Sequence, residues 1–240
     1  MPSYGDLWTG HVRLGDGWAW FEGRCGDTRP HRHLAAQMIV GLSEPIHVET
    51  IAGSLTGPAV LVRAGALHAV RPTATHARVI YARSFSPLGI AWSRLGDGKD
   101  AASPPAALSE QLRSSDDLAG TLYELAAACP TPPIDARLCE ALRRLKDARV
   151  DIADLGEIAR AVGLSEPRLR ALAAEQLGAP LSHWRLWFML EQGLRSLGAG
   201  APLVAAAADA GFSDQAHLSR TMRRFMGVTP RTAALAMASR

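Results

Sequence analysis

Residues 209–230, DAGFSDQAHLSRTMRRFMGVTP, decide the fold of the C-terminal half. Gly211 ends a run of small residues, and Ser213, Asp214 and Gln215 open a segment that carries three arginines. Stepping about 100° per residue from Leu218 puts Met222 and Phe225 on the same face, with Phe212 just ahead of the helix. Arg220 points nearly the opposite way, flanked by Ala216, Arg223 and Arg224, with Ser219 at one edge. Ser213 is expected to cap this helix, its hydroxyl oxygen meeting free backbone N–H groups. Upstream, PLVAAAADAGF (202–212) supplies a short Ala-rich helix and a Gly turn. A helix, a tight turn and a capped helix with a polar, cationic outer face make a helix-turn-helix. The second helix of such a unit fits a major groove, where Arg forks guanine edges and Gln meets adenine.

The plan occurs twice. LGEIARAVGLSEPRLRALAAEQLG (155–178) sets Gly163 against Gly211 and Ser165 against Ser213. Leu169, Leu172 and Ala173 take the inner face, and Arg168, Arg170 and Ala171 point outward. APLSHWRLWFMLEQGLRSLG (179–198) lies between the units as an apolar helix long enough to space them rigidly, with Trp184 and Trp187 in its core face. One such unit would fit a helix whose arginines only meet solvent; two on one connector point to groove reading.

Composition sets the outer limits. The chain has 240 residues, 48% hydrophobic and 20% charged, with a formal net charge of +3. That is enough apolar material for real cores. Residues 134–240 hold 15 Lys/Arg against 11 Asp/Glu, and the remainder 11 against 12, so the C-terminal part is the one suited to a polyanion. Cys25, Cys129 and Cys139 are too few and scattered for a disulfide framework. The N-terminal MPSYGDLWTGHVRLGDG lacks the apolar core of a signal peptide, and no run approaches the roughly 18 apolar residues of a membrane span. A reducing, cytoplasmic setting without membrane contact is expected.

The N-terminal texture differs. AAQMIVGL (35–42), PIHVETIAG (45–53), PAVLVRAG (58–65) and ARVIYARS (77–84) are strand-length runs ended by turn residues, which predicts a small antiparallel barrel or sandwich. GWAWFEG (17–23) alternates like a strand. ALSEQLRSSDDLAGTLYELAAACP (107–130) is helix-forming, with Leu108, Leu112, Leu118, Leu122 and Leu125 near helical spacing. That stripe packs either on the strands or on a partner helix, and a homodimer is the expectation. The chain reads as α+β: a β domain over 1–102, a helical connector over 103–133, and an all-helical domain over 134–240 with helix-turn-helix units at 155–176 and 202–226.

Residues 138–236 resemble the AraC/XylS family of bacterial transcription regulators, most specifically in ADAGFSDQAHLSRTMRRFMGVTPRTA (208–233). By position, the resemblance implies that Gln215, Ser219 and Arg220 face the groove in the second unit, and Pro167, Arg170 and Ala171 in the first. Ala216, Arg223 and Arg224 flank the second set. Ala171 stands where an Arg is frequent, so the first helix either reads fewer bases or uses Arg168 instead. Family members of this length carry an effector-binding barrel, commonly a cupin. HRHLAAQ (31–37) and GPAVLVRAGALHAVRP (57–72) resemble the two cupin metal segments and imply a ligand set of His31, His33, Gln37 and His68. Gln37 stands where cupin enzymes carry Glu, Arg63 where Pro is usual, and Pro72 where Asn is usual.

Alternate strand residues share a face, so His31 and His33 point together, and three imidazoles with a carbonyl oxygen suit a divalent transition metal. The competing reading gives these residues to an organic-ligand pocket or to plain strand stability. Cys25 is a further candidate ligand, whereas His11, His47 and His76 fit no ligand spacing. Trp18 and Trp20 are candidates for an aromatic effector pocket. What the resemblance implies is a sequence-specific transcription regulator controlled by a small ligand or metal ion, with double-stranded DNA and RNA polymerase as partners and no enzymatic activity. The competing class is a metal-dependent cupin enzyme, a dioxygenase or isomerase with a helical accessory domain. The missing Glu and the paired helix-turn-helix units argue against it.

Overall fold

The computed structural model describes residues 8–71, 76–130, 134–147 and 155–238. Pro72 and the Pro-rich break at 131–133 lie outside the described residues. The strands are β1 (Thr9–Leu14), β2 (Trp18–Arg24), β3 (Ala35–Gly41), β4 (Ile46–Thr50), β5 (Gly53–Gly57), β6 (Ala59–Val62), β7 (His68–Val70), β8 (His76–Arg83) and β9 (Ala101–Ala102). They form a six-stranded sheet in the order β1-β2-β8-β3-β6-β9 and a three-stranded sheet in the order β5-β4-β7. The strand pairs are antiparallel. The barrel expected as a cupin does not close, so the sandwich alternative describes these two sheets. The physical reason lies in pairing. β4 bonds to β5 and β7, and the described strands give no ladder from that group to β1 or β9.

β3 is buried along its whole length, which its apolar run requires of a strand covered on both faces. Its alternation divides the N-terminal core in two. Ile39 faces inward with Phe21, Val60, Val62 and Val79, against Ile46, Val48 and Val70 of the small sheet. Met38 and Val40 face outward with Trp20, Leu61 and Ile80. That outer face is covered by α1 (Pro87–Leu95), α2 (Ala106–Ser114) and α3 (Leu118–Ala128) through Leu88, Trp92, Leu112, Leu118 and Leu122. Leu108 and Leu125 pack at the edge of the same cluster. The leucine stripe of 107–130 is therefore satisfied within the chain, which removes the observation that pointed to a homodimer through it.

The C-terminal half contains α4 (Ala136–Asp147), α5 (Leu155–Ala161), α6 (Glu166–Leu177), α7 (Leu181–Gly198), α8 (Leu203–Asp209), α9 (Gln215–Met226) and α10 (Pro230–Ala238). One core joins them, with Leu169 and Leu172 of α6, Trp184, Trp187 and Leu190 of α7, and Leu218, Met222 and Phe225 of α9. Leu14, Leu34, Tyr81 and Phe85 of the N-terminal half pack against that core. α10 packs on α7 and α9 and also lies along β1. Its Ala236 is buried in the core between the sheets. Among the described residues, no helix is long and apolar enough to cross a membrane.

Candidate nucleic-acid interface and sensor sites

The outer faces of α6 and α9 gather the cations that the sequence placed there. α9 buries Leu218, Thr221, Met222 and Phe225 and leaves Gln215, Ala216, Arg220, Arg223 and Arg224 exposed, with Ser219 half-buried. Gly211 makes the turn ahead of it with φ +81°, a backbone region that glycine enters without a Cβ clash. The cap is a correction. Asp214, not Ser213, caps α9: its Oδ1 accepts from the His217 N–H at 2.6 Å, while the Ser213 hydroxyl lies 3.2 Å from His217 Nδ1. The helix starts one residue later than the alignment with Ser165 implied. In α6 Ser165 does cap, accepting from the Arg168 N–H.

α6 buries Leu169, Leu172 and Ala173 and exposes Pro167, Arg168, Arg170 and Ala171. Arg170 is held by Glu166 one turn earlier at 2.6 Å. Among the described residues Arg168 and Arg220 form no ion pair, although Arg220 is among the groups that hold the Asp214 carboxyl below its ordinary value, after the His217 backbone N–H. Arg224 leans back toward His183 of α7, 3.5 Å away.

Two further features lie where the halves meet. The first is a cavity of about 100 Å³, bounded by β1 and β2 on one side and by α7 and α10 on the other. Val12, Phe21, Tyr81, Leu194 and Ala233 line it, and Arg83, Glu191 and Arg195 bring charge to it. Trp18 and Trp20 border it from β2, but their rings make edge contacts with Tyr123 and His11. Trp20 belongs to the core on the opposite face of the sheet. A buried ion pair spans the junction beside this cavity. Arg83 of β8 donates to both carboxylate oxygens of Glu191 on α7, at 3.1 and 2.8 Å, and Trp187 Nε1 donates to the same carboxylate at 2.7 Å. No sequence pattern marks this pair, because its members stand 108 residues apart.

The second feature is the histidine cluster. His31 and His68 face each other across a bridge closed by two backbone hydrogen bonds of 2.9 Å, and their ring centroids lie 4.2 Å apart. His33 joins them at 5.6 and 5.0 Å. Gln37 sits on β3 directly opposite Tyr81 of β8, and the His33 and Tyr81 rings are in edge contact. All four predicted ligands are buried. Burial, then the neighbouring rings of His68 and His33, hold His31 well below the ordinary imidazole value; burial and His68 lower His33 to about 3; burial lowers His68. The three rings are therefore neutral near pH 7. Cys25 stands apart from the group that could share an ion, and burial pushes its thiol up to about 12. Arg63, the departure from the cupin pattern, is occupied in an ion pair with Asp100 at 2.6 Å.

Comparisons with known proteins converge on the helical half. Residues 158–234 match a family model described as a helix-turn-helix domain. The arabinose operon regulatory proteins of Salmonella typhimurium and Escherichia coli are 31% and 32% identical to it over 101 residues, or 41% of this chain. The match spans 36% and 35% of those relatives, so about a third of their length is represented. Over the whole chain, the crystal structure of ToxT from Vibrio cholerae O395 aligns with 94% of this chain and 100% of that one, at a TM-score of 0.61 and 12% identity. That likeness is one of fold. Through the helix-turn-helix pair carried on α5 to α9, the helical half of the chain is similar to the arabinose operon regulatory proteins.

Proposed function

We propose that the chain is a sequence-specific DNA-binding transcription regulator whose N-terminal half senses a small ligand. The observation that carries this is the pair of outward faces on α6 and α9, each backed by a locked apolar face on a shared core. Two recognition helices fixed to one rigid α7 enter successive major-groove faces about one turn apart. In the first unit Arg168 supplies the base contact, because Arg170 is engaged by Glu166. Such a protein acts in the cytoplasm and meets RNA polymerase at its promoter. An enzyme is the less favoured reading, since the histidine cluster lacks the carboxylate of the cupin enzymes.

The cavity at the junction is the proposed site for an organic effector. ToxT has been crystallised with an unsaturated fatty acid bound, and the two folds agree at a TM-score of 0.60. At about 100 Å³ the cavity falls below the roughly 300–1,000 Å³ of common ligand pockets, so as it stands it suits a small molecule. Its apolar lining suits a compact apolar body, and the exposed Arg195 at its edge suits an anionic head.

The test is DNA selected from a random pool by the full chain, followed by Arg220→Ala. The variant is expected to lose about 1–3 kcal/mol of affinity at the selected site if Arg220 forks a guanine, and less on unrelated DNA at the same salt. Equal loss on both would reduce Arg220 to a phosphate contact. No loss on either would remove α9 as the reading helix.

A further inference from the structure

Each imidazole of the cluster uses its Nδ1 on a main-chain carbonyl. His31 Nδ1 bonds to the Arg29 carbonyl at 2.9 Å, His33 Nδ1 to Ala35 at 2.8 Å, and His68 Nδ1 to Ala66 at 3.0 Å. A neutral ring bonded to a carbonyl must carry its proton on that nitrogen, which leaves Nε2 as a bare lone pair. All three Nε2 atoms are buried without a hydrogen-bond partner, and so is Oε1 of Gln37. The ligand atoms that the three histidines can offer lie within 4.8 Å of one another. The three imidazole lone pairs cannot satisfy one another, and buried acceptors are rarely left unmet. A cation that takes lone pairs answers the three rings together, with the Gln37 amide beside His33 as a further donor atom, and imidazole with amide oxygen suits zinc, cobalt, nickel or copper.

The cluster also touches the end of the recognition helix. Gly227 closes α9 with φ +69°. A Cβ at this position would come within 2.6 Å of both the Arg29 carbonyl oxygen and His31 Nδ1. The Arg29 N–H donates to the Gly227 carbonyl at 3.1 Å, and the Arg32 N–H reaches the Arg224 carbonyl at 3.5 Å. The same carbonyl that orients the His31 ring therefore rests on the last turn of α9, with no side chain between them.

We propose that His31, His33, His68 and Gln37 hold a divalent transition-metal ion, and that α9 reads its presence through the Arg29–Gly227 contact. The DNA half of this inference rests on the regulator reading above; the metal half does not. A metal shifts DNA affinity only by binding the two states of the protein unequally. The ligand set is complete in the arrangement that clasps Gly227 and turns α6 and α9 outward, so metal favours that arrangement and tightens DNA binding. A coupling of ordinary size corresponds to about 5–150-fold.

The experiment uses the full chain stripped with a chelator and titrated with cobalt(II). The expected result is one ion per chain with visible ligand-field bands, lost in His68→Gln and strengthened in Gln37→Glu, which adds an anionic ligand. Metal should slow amide hydrogen exchange at Arg29 and at residues 223–228, and should raise affinity for the selected DNA at least fivefold. Circular dichroism checks that His68→Gln folds; if it does not, Gln37→Glu and the wild-type bands carry the test. Unchanged cobalt binding in a folded His68→Gln, or no tightening in Gln37→Glu, overturns the ligand assignment. Bound metal with unchanged exchange at 223–228 and unchanged or weaker DNA binding overturns the coupling. Bands and exchange protection without any DNA binding, metal-loaded or free, support the site and instead strike the regulator reading.

Discussion

Glu191→Ala is expected to destabilise the folded chain by about 3–5 kcal/mol, the range for removing one partner of a buried ion pair. Arg83 and Glu191 are only 10% and 14% exposed in their side chains. The guanidinium meets the carboxylate through two donors and lies 5.6 Å from the Phe188 ring centroid. Without Glu191, its remaining acidic contact is Asp16 at 3.3 Å, which is 87% exposed and screened by water. The Trp187 indole N–H would lose its acceptor as well. Most of the loss comes from stranding a charge rather than from forfeiting an attraction. The double variant Arg83→Met/Glu191→Leu should therefore recover most of it. Urea unfolding of the two singles and the double is the measurement. A single-variant loss below about 1 kcal/mol would mean that water reaches Arg83 and that the pair is not the strut between β8 and α7.

Leu122→Ala is expected to cost about 2–5 kcal/mol and to leave the association state unchanged. Leu122 is fully buried between α3 and the outer face of the large sheet, in the cluster with Met38, Leu61, Ile80 and Trp92. Truncation removes the transfer energy of the side chain and leaves a cavity that a strand-backed site fills poorly. If the stripe were a seam between protomers, the same change would shift the monomer–dimer balance and make stability depend on concentration. Equilibrium unfolding at two protein concentrations, with sedimentation of both proteins, separates these results.

The cationic outer face of α9 was legible because an amphipathic helix writes its period into the sequence: Leu218, Met222 and Phe225 are buried, and Arg220 is exposed. The histidines were legible for a similar reason, since His-x-His sets two rings on one side of an extended segment and His68 follows a turn. Partners were harder to read. A leucine stripe announces that it will be buried, not against what, and Leu112, Leu118 and Leu122 found their own sheet. Barrel and sandwich share the same strand signals, and only the pairing of β4 with β5 and β7 decides between them. Ser213 and Asp214 are both good caps, and hydrogen bonding within the turn chose the second. The Arg29–Gly227 contact left no sequence trace, because it is made between main chains.

α10 gives the protein an unusual kind of continuity. Regulators are often treated as interchangeable parts, a sensor joined to a reader at a chosen seam. Here the last helix runs back along β1 and places Ala236 in the core between the two sheets. A graft of residues 134–240 onto a foreign sensor would carry away a piece of the donor's own sandwich and uncover apolar surface on both products. Chimeras that work should therefore exchange β1 together with α10, or place the crossover before α10 so that this helix stays with the sheets it helps to close.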